Sequence, residues 1–380
     1  MKITDLRTFV VGNPWKNWVF VKLYTDEGLT GLGEATLGLA TKPAVGDVEE
    51  LAPHVIGEDP LQPEKLWFKM HRARYLGHSI GMSAIEQACW DILGKALNQP
   101  VYQLLGGAVR DKIKAYANGW YTVEREPKAF HEAAKKVIAK GYKALKVDPF
   151  GAGLYEMERS EKNRSVSLIE AIRDSVGPDV EILIEMHGRF SPATAIDLSH
   201  DLEKFKPSWV EEPVPPDNLE AMAKAAAKIN IPVATGERIH TRFETRRLLE
   251  LGAIDVLQTD ITESMGLLEG KKIAAMADAY YVTFAPHNVG GPLSTAACLH
   301  LAACTTNFKI QEHFNDFVDS WVKDAATGPG YPEVKDGYFP LPGGPGLGVT
   351  PNEDFIKEHP MQGENFNLFK EDWHRRQAKK

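Results

Sequence analysis

The sequence predicts an α/β protein in which a (β/α)8 TIM barrel follows a smaller α+β domain. From about residue 113 onward, short apolar runs recur, and each is followed by a polar stretch with helical periodicity. Before that point, two β-rich runs meet at a turn, and a helical segment comes next. Eight strand-helix units within about 200 residues are typical of a closed barrel of parallel strands.

Size and composition favour a soluble, well-packed protein. The chain has 380 residues, of which 43% are hydrophobic and 25% charged, and its net charge is -8. This balance disfavours attraction to nucleic acid or to an anionic membrane surface, and we expect neither partner. The N-terminus lacks the apolar core of a signal peptide, and no run is long enough to span a membrane, so we predict a cytoplasmic location. The odd cysteine count predicts reduced core thiols at Cys89, Cys298 and Cys304.

The first hundred residues predict a hairpin followed by a helix. The run "NWVFVKLYTDEGLTGLGEA" contains a turn at Asp26-Glu27-Gly28, where glycine is available for a positive φ. Downstream, Ile85, Cys89 and Ile92 recur at helical spacing, and the pattern stops near Pro100. This part of the chain is therefore α+β.

The barrel strands are predicted from short apolar runs separated by amphipathic segments such as "EPKAFHEAAKKVIAKGY". The eight runs are "KAYANG", "KALKVD", "EILIEM", "SWVEEP", "PVATGE", "IDVLQTD", "VTFAPH" and "FKIQEH". A doubly wound open sheet has the same alternation, but no glycine-rich phosphate loop follows the first strand. We therefore favour the barrel.

Charged residues stand at the carboxyl ends of nearly all these strands. They are Lys146, Asp148, Glu185, His187, Glu211, Glu237, Asp260, His287 and Glu312. A single carboxylate after a strand is usually a helix N-cap or a solvated loop group. A series on successive strands is different, because the carboxyl ends of barrel strands converge on one mouth, where catalytic residues lie.

Three of the acids predict a metal site. Glu185, Glu211 and Glu237 are separated by 26 residues each, which is one strand-helix repeat. Carboxylates brought side by side repel unless a cation neutralises them. Oxygen ligands without cysteine suit Mg²⁺, or Mn²⁺ in its place. A zinc hydrolase on the same barrel is the rival, but the chain contains no H-x-H or H-E-x-x-H.

A set of motifs in one order resembles the enolase superfamily, in its mandelate racemase branch. The motifs are "YTDEGLTGLGEA", "SAIEQACWDILGKALNQPVYQLLGG", "KALKVD", "WVEEPVPP", "ATGERI", "DVLQTDITESMG" and "YFPLPGGPGLGV". The resemblance implies a capping domain at residues 1–112, a modified barrel at 113–330 and a C-terminal segment at 331–380 that returns to the cap. It also implies a dimer or octamer, and removal of the proton α to a substrate carboxylate near Mg²⁺.

The resemblance extends to individual residues. It makes Glu185, Glu211 and Glu237 the metal ligands, although many relatives have aspartate at the first position. It makes His287, paired with Asp260, the base, because a carboxylate on one ring nitrogen makes the other more basic. It gives the last strand's Glu312 a hydrogen bond to the substrate carboxylate or its enediolate.

Two further positions distinguish between reactions. "E-x-H-G-R" at 185–189 resembles the "D-x-H-G-R" of galactonate-type acid-sugar dehydratases, which implies that His187 protonates the departing 3-hydroxyl of a sugar acid such as galactonate or gluconate. Lys146 and Asp148 stand where racemases have Lys-x-Lys, and we expect Asp148 to keep Lys146 protonated. If Lys146 is a second base, racemisation, epimerisation or cycloisomerisation replaces dehydration.

Substrate contacts are predicted in two places. Trp15, Lys16 and Trp18 in "GNPWKNW" are expected to close over the substrate or meet its distal groups. Arg189 and Arg238, which follow His187 and Glu237, are expected to anchor polar ligand groups or brace the carboxylates. A protein that only binds a metal or a sugar acid would have lost a base or a ligand, and none is lost here.

Overall fold

The N-terminal domain is a three-stranded antiparallel meander covered by helices. We describe a computed structural model at residues 1–13, 16–36, 38, 40–74, 78–318, 320–363, 370–371 and 373–375. The strands run in the order β1 (Ile3–Val11), β2 (Trp18–Thr25) and β3 (Thr30–Glu34), with the predicted turn between the last two. The helices are α1 (Thr41–Val55), α2 (Pro63–Ala73), α3 (Ile80–Ala96) and α4 (Val101–Leu104).

Parallel strands and helices then alternate to form the predicted barrel. The strands are β4 (Lys112–Ala117), β5 (Ala144–Val147), β6 (Glu181–Glu185), β7 (Trp209–Glu211), β8 (Val233–Thr235), β9 (Val256–Leu257), β10 (Thr283–Phe284) and β11 (Gln311–His313). The helices between them are α5 (Pro127–Ala139), α6 (Arg159–Val176), α7 (Pro192–Leu202), α8 (Leu219–Ala226), α9 (Arg242–Glu250), α10 (Leu267–Asp278) and α11 (Pro292–Cys304). A short 3-10 helix, Glu203–Phe205, extends α7.

The barrel closes through two contacts. β11 pairs in parallel with β4, and a parallel bridge joins Phe284 of β10 to Phe308 just before β11. In place of an eighth α-helix, β11 is followed by 3-10 turns at Asn315–Phe317 and Ser320–Ala325. The architecture is thus a modified (β/α)8 barrel, which confirms the predicted fold class.

The C-terminal segment runs back along the barrel and the N-terminal domain. It contains β12 (Ala326–Thr327), β13 (Tyr338–Pro340), β14 (Thr350–Pro351), α12 (Glu353–Glu358) and the 3-10 helix Trp373–Arg375. β13 adds to β4 antiparallel at the barrel's amino end, and β12 pairs with β14. Gly94 of α3 and Gly346 touch backbone to backbone, since a Cβ on Gly94 would lie 2.6 Å from the Cα of Gly346.

Two buried carboxylates of the N-terminal domain cap helices of the barrel. Glu34 accepts hydrogen bonds from the backbone N–H groups of Gly291 and Ser294, at the start of α11. Glu86 accepts from the N–H groups of Leu267 and Leu268, at the start of α10. Both helices have glycine at their own N-cap, so the side chains that accept from their first N–H groups come from the other domain.

The three cysteines lie inside the protein, as the sequence predicts. Cys89, Cys298 and Cys304 are buried and free. Within the part of the chain that the structure describes, no helix is long and apolar enough to cross a membrane.

Candidate active site

The barrel interior is filled by one residue from each strand or its flank. This buried layer comprises Tyr116, Ala144, Leu183, Trp209, Ala234, Val256, Ala285 and Ile310. Because side chains alternate along a strand, the residues two positions further on face the same interior, one layer nearer the mouth. They are Asn118, Lys146, Glu185, Glu211, Gly236, Gln258, His287 and Glu312. The polar groups therefore stand directly above an apolar layer.

Three glutamates from successive strands meet at this mouth. Glu185, Glu211 and Glu237 each offer a carboxylate oxygen, and these oxygens lie within 4.8 Å of one another. Glu185 and Glu211 are 1% and 0% exposed. Burial and the charge of Glu185 raise the pKa of Glu211 to about 8. A buried, mutually repelling set of oxygen donors fits a hard divalent cation.

Lys146 lies among the carboxylates rather than beside Asp148. Its Nζ is 2.7 Å from Oε1 of Glu211, 3.0 Å from Oε1 of Glu312 and 3.2 Å from Oε2 of Glu185. Burial alone lowers the pKa of Lys146, but these negative charges outweigh it and raise the pKa well above its ordinary value. The expected protonation of Lys146 is therefore due to the glutamates.

Glu312 is held by donors on three sides. Nδ2 of Asn118 donates to its Oε1 at 2.7 Å, the backbone N–H of Asn288 donates to its Oε2 at 2.8 Å, and Lys146 provides the third contact. Although burial opposes ionisation, Lys146 and His287 lower the pKa of Glu312. These contacts hold the carboxylate at the barrel mouth, and its hydrogen bond to a substrate stays a prediction.

His287 is positioned between two carboxylates. Its Nδ1 donates to Oδ2 of Asp260 at 2.7 Å, while its Nε2 lies 3.4 Å from Oε2 of Glu237. The bond to Asp260 fixes the tautomer and directs Nε2 toward the glutamate cluster. Burial opposes the charged form, but Glu237, Glu312 and Asp260 raise the pKa of His287 to about 10.

His187 forms a second histidine-aspartate pair. Its Nδ1 donates to Oδ2 of Asp148 at 2.5 Å, and its backbone N–H donates to Oε1 of Glu185 at 2.6 Å. The residue has φ +48°, in the left-handed region that residues other than glycine seldom occupy. The ring of Trp373, from the C-terminal segment, packs edge-on against the imidazole at 5.2 Å. Two oriented imidazoles thus flank the three glutamates.

The sequence of the chain agrees with family descriptions over most of its length. Residues 10–106 match the mandelate racemase/muconate lactonizing enzyme N-terminal domain, and residues 129–355 match the enolase C-terminal domain-like family. The chain belongs to the mandelate racemase/muconate lactonizing enzyme family. Its capping domain is the meander with helices α1–α4, and its barrel carries the residues described above.

Relatives in this family include proteins named as sugar-acid dehydratases. The D-gluconate/D-galactonate dehydratase of Picrophilus torridus is 36% identical over 95% of this chain and 93% of its own. The D-galactonate dehydratase of Xanthomonas campestris pv. campestris is 40% identical over 94% of each chain. The crystal structure of a mandelate racemase/muconate lactonizing enzyme from Jannaschia sp. CCS1 superimposes with a TM-score of 0.88, at 34% identity, over 96% of this chain and 99% of that one.

Of the loop that was predicted to contact substrate in this mandelate racemase family member, only Lys16 is seen to lie near residues of the site. Trp15 lies outside the described residues. Lys16 is buried close enough to Asp260 and Glu263 for its charge to act on both carboxylates. Trp18 is 1% exposed and packs in a core cluster with Phe20, so its ring does not cover the barrel mouth.

The two arginines bind carboxylates of the protein itself. Nη2 of Arg189 donates to both oxygens of Asp148, at 2.8 and 2.7 Å, and the side chain is buried. Nη2 of Arg238 donates to Oε2 of Glu212 at 2.5 Å. Asp148 and Arg189 thus form a network with His187, in which both residues position that imidazole.

Several residues at the barrel mouth of this family member were not predicted from the sequence. Asn118 and Asn288 hold Glu312, and Glu212 adds a buried carboxylate beside Arg238. The amide of Gln258 is buried, and neither of its polar atoms has a hydrogen-bond partner among the described residues. Asn118 and Gln258 each lie two residues after a member of the interior layer, Tyr116 and Val256. Strand alternation along the sequence could therefore have identified both.

Proposed function

We propose that this chain is a divalent-metal-dependent dehydratase of a sugar acid. The substrate is an aldonate such as galactonate or gluconate, and the product is a 2-keto-3-deoxy acid. The observation that carries the proposal is the pair of histidines, each bound to an aspartate, on the two sides of the glutamate cluster. Elimination of water requires a base and an acid together, and the pair provides one of each. The names of the relatives agree with this reaction.

The glutamate cluster is suited to the ion that such a reaction needs. Glu185, Glu211 and Glu237 would hold Mg²⁺, or Mn²⁺ in its place. Burial and the charge of Glu185, which together raise the pKa of Glu211, support this assignment. When bound, the ion supplies positive charge that stabilises the substrate carboxylate as its α-carbon loses a proton.

His287 acts first, as the base. Its Nε2 takes the proton from C2, and the electron pair of that C–H bond moves toward the substrate carboxylate. In the metal-free protein the charges of Glu237, Glu312 and Asp260 favour the protonated ring. Mg²⁺ held by Glu237 would offset the first of these charges, so that Nε2 could accept a proton. Asp260 holds the ring in the tautomer with Nε2 free, and it stabilises the imidazolium that forms. The ammonium group of Lys146 adds positive charge near the developing anion.

His187 completes the reaction as the acid. It gives a proton to the 3-hydroxyl, the C3–O bond breaks, and water leaves while the C2–C3 double bond forms. The resulting enol tautomerises to the 2-keto-3-deoxy acid. Asp148 keeps His187 in place, and it favours the protonated ring that an acid requires.

Isomerisation is the alternative, and the surroundings of Lys146 argue against it. Racemisation, epimerisation or cycloisomerisation through the same enediolate needs a second base on the opposite face of the substrate. Lys146 is the candidate for that base, but three carboxylates hold it in its protonated form. A protonated ammonium group cannot take a proton, so dehydration is the better account.

The test is turnover in deuterated water. The purified protein with Mg²⁺ is offered aldonates, aldarates and their lactones, and the product is followed by a 2-keto acid assay and by proton NMR. We expect a 2-keto-3-deoxy product that disappears in His287→Asn. The variant His187→Asn is expected to keep exchanging the C2 proton for deuterium while losing elimination. Deuterium at C2 without keto acid in the wild type would overturn dehydration in favour of isomerisation.

A further inference from the structure

A second group of possible metal ligands lies where the capping domain meets the barrel. His78 precedes α3 of the cap, His240 follows β8, and Glu263 follows β9. One donor atom from each residue lies within 4.8 Å of the other two. None of the three belongs to the glutamate cluster, and none has a part in the dehydration proposed above.

The histidine nitrogens that face this group have no other partner. Nε2 of His78 and Nδ1 of His240 are buried and make no hydrogen bond within the described part of the chain. The two imidazole rings lie against each other with their centroids 4.1 Å apart, and Nδ1 of His240 is 3.9 Å from Oε2 of Glu263. A buried imidazole nitrogen without a hydrogen-bond partner can present its lone pair to a metal ion.

The surroundings keep the two imidazoles in the form that binds a metal and hold both loops in place. Burial, together with the charge of His240, lowers the pKa of His78 to about 4, and burial lowers the pKa of His240 as well. Neutral imidazole is the ligand state at pH 7. The backbone N–H of His240 donates to Oε2 of Glu244, and that of Glu263 donates to Oδ1 of Asp260. Both loops are therefore fixed by hydrogen bonds from outside the group.

We infer that His78, His240 and Glu263 form a second metal site, which takes a transition-metal ion such as Zn²⁺ or Co²⁺. Two imidazole nitrogens and one carboxylate suit these ions, whereas Mg²⁺ prefers the oxygen-only glutamate cluster. All three side chains are partly exposed, which leaves room for water as a fourth ligand. An open surface pocket of about 410 Å³ lies beside His78 and is lined also by Asp47, Glu50 and Arg74.

The consequence of such a site is a cross-link between the domains. His78 belongs to the chain that leads into the cap's α3, while the other two ligands belong to loops at the barrel mouth. An ion bound by all three holds the cap against the loop that also carries Asp260. Because the ion binds the folded form, it also stabilises the protein by mass action.

The experiment uses Co²⁺ as the probe. The full-length protein is stripped of metal with a chelator, supplied with excess Mg²⁺ to occupy the glutamate cluster, and titrated with Co²⁺ while the visible spectrum is recorded. We expect one equivalent of Co²⁺ to bind and to give the intense visible absorption bands of a Co²⁺ ion with few ligands, some of them nitrogen. Zn²⁺ should displace this Co²⁺ and abolish the bands. His240→Asn and Glu263→Gln are each expected to weaken Co²⁺ binding at least about tenfold.

Controls separate this site from the others. Glu237→Gln, in the glutamate cluster, and His200→Asn, on the exposed side of α7, are expected to leave the Co²⁺ bands unchanged. Circular dichroism establishes whether each variant is folded. If His240→Asn does not fold, Glu263→Gln alone tests the loss of Co²⁺ binding. Absence of Co²⁺ binding in the wild type, or equal affinity in folded Glu263→Gln, would overturn the inference. If the variants instead raise only the KM for the sugar acid, the group is a substrate subsite and the metal site is refuted.

Discussion

Nδ1 of His187 lies 2.5 Å from Oδ2 of Asp148, which joins the end of β6 to the end of the neighbouring strand β5. Asp148 is fully buried and also accepts two bonds from Arg189. Although burial opposes its charge, Arg189 and His187 lower the pKa of Asp148, which therefore stays ionised. The carboxylate positions His187 in the way that Asp260 positions His287.

Replacing Asp148 should separate the two halves of the proposed reaction. In Asp148→Asn the imidazole of His187 loses its anionic partner, so elimination should slow by about 100-fold or more while the base at His287 is untouched. We expect the C2 proton to exchange with deuterated water at a rate near that of the wild type, measured by NMR beside the keto acid assay. Asp197→Asn, on the surface of α7, is the control. Equal loss of exchange and elimination would show that Asp148 has a general structural role.

Removing the ammonium group of Lys146 should destabilise the metal-free protein. Lys146→Gln leaves three buried carboxylates without their cation, and breaking a buried ion pair costs about 3 kcal/mol or more. Added Mg²⁺ should recover more stability in this variant than in the wild type, because the ion neutralises the same charges. Thermal unfolding with chelator and with Mg²⁺ measures both effects. An equal Mg²⁺ shift in the two proteins would contradict this electrostatic account.

The contact between Glu86 and α10 should contribute to global stability. Glu86→Ala removes the acceptor of the N–H groups of Leu267 and Leu268 and of Nε1 of Trp90, and buried donors without partners cost about 3 kcal/mol in total. Urea unfolding should show this loss. Glu64→Ala, which removes an exposed ion pair with Lys272, should change little. Comparable losses in the two variants would argue against a special role for the helix cap.

His300 should make the protein sensitive to mild acid. Its Nδ1 accepts from the N–H of Tyr102, its Nε2 donates to the carbonyl of Leu347, and burial lowers its pKa to about 4. The unfolded chain, with a pKa of about 6.5, takes up the proton first. Stability is therefore complete above pH ~6.5 and falls toward pH ~4, by about 3 kcal/mol at most.

The comparison of wild type with His300→Gln tests that linkage. Urea unfolding between pH 7.5 and 4.5 should give a shallower pH dependence for the variant, whatever its stability at neutral pH. Other groups, including His78, are present in both proteins and cancel in the difference. Parallel curves would mean that His300 is not the group that titrates.

The sequence by itself determined the order of the elements and the layer in which the polar groups lie. Apolar runs at regular intervals specified the parallel strands, and the 26-residue spacing of Glu185, Glu211 and Glu237 anticipated their convergence. Both results follow from periodicity, because each barrel strand repeats one geometry and ends at one mouth.

The pairing of His287 with Asp260 was predicted, but tertiary structure alone decided several other contacts. Lys146 contacts glutamates rather than Asp148, Asp148 pairs with His187, and Trp18 packs into the core. Such pairings depend on strand register and side-chain direction, which no local pattern encodes. The approach of His78 to His240 depends further on how the cap is seated on the barrel, through contacts such as Glu86 with α10. Spacing along the chain specifies where a residue stands on its own strand, whereas its partners are set by the packing of segments far apart in sequence.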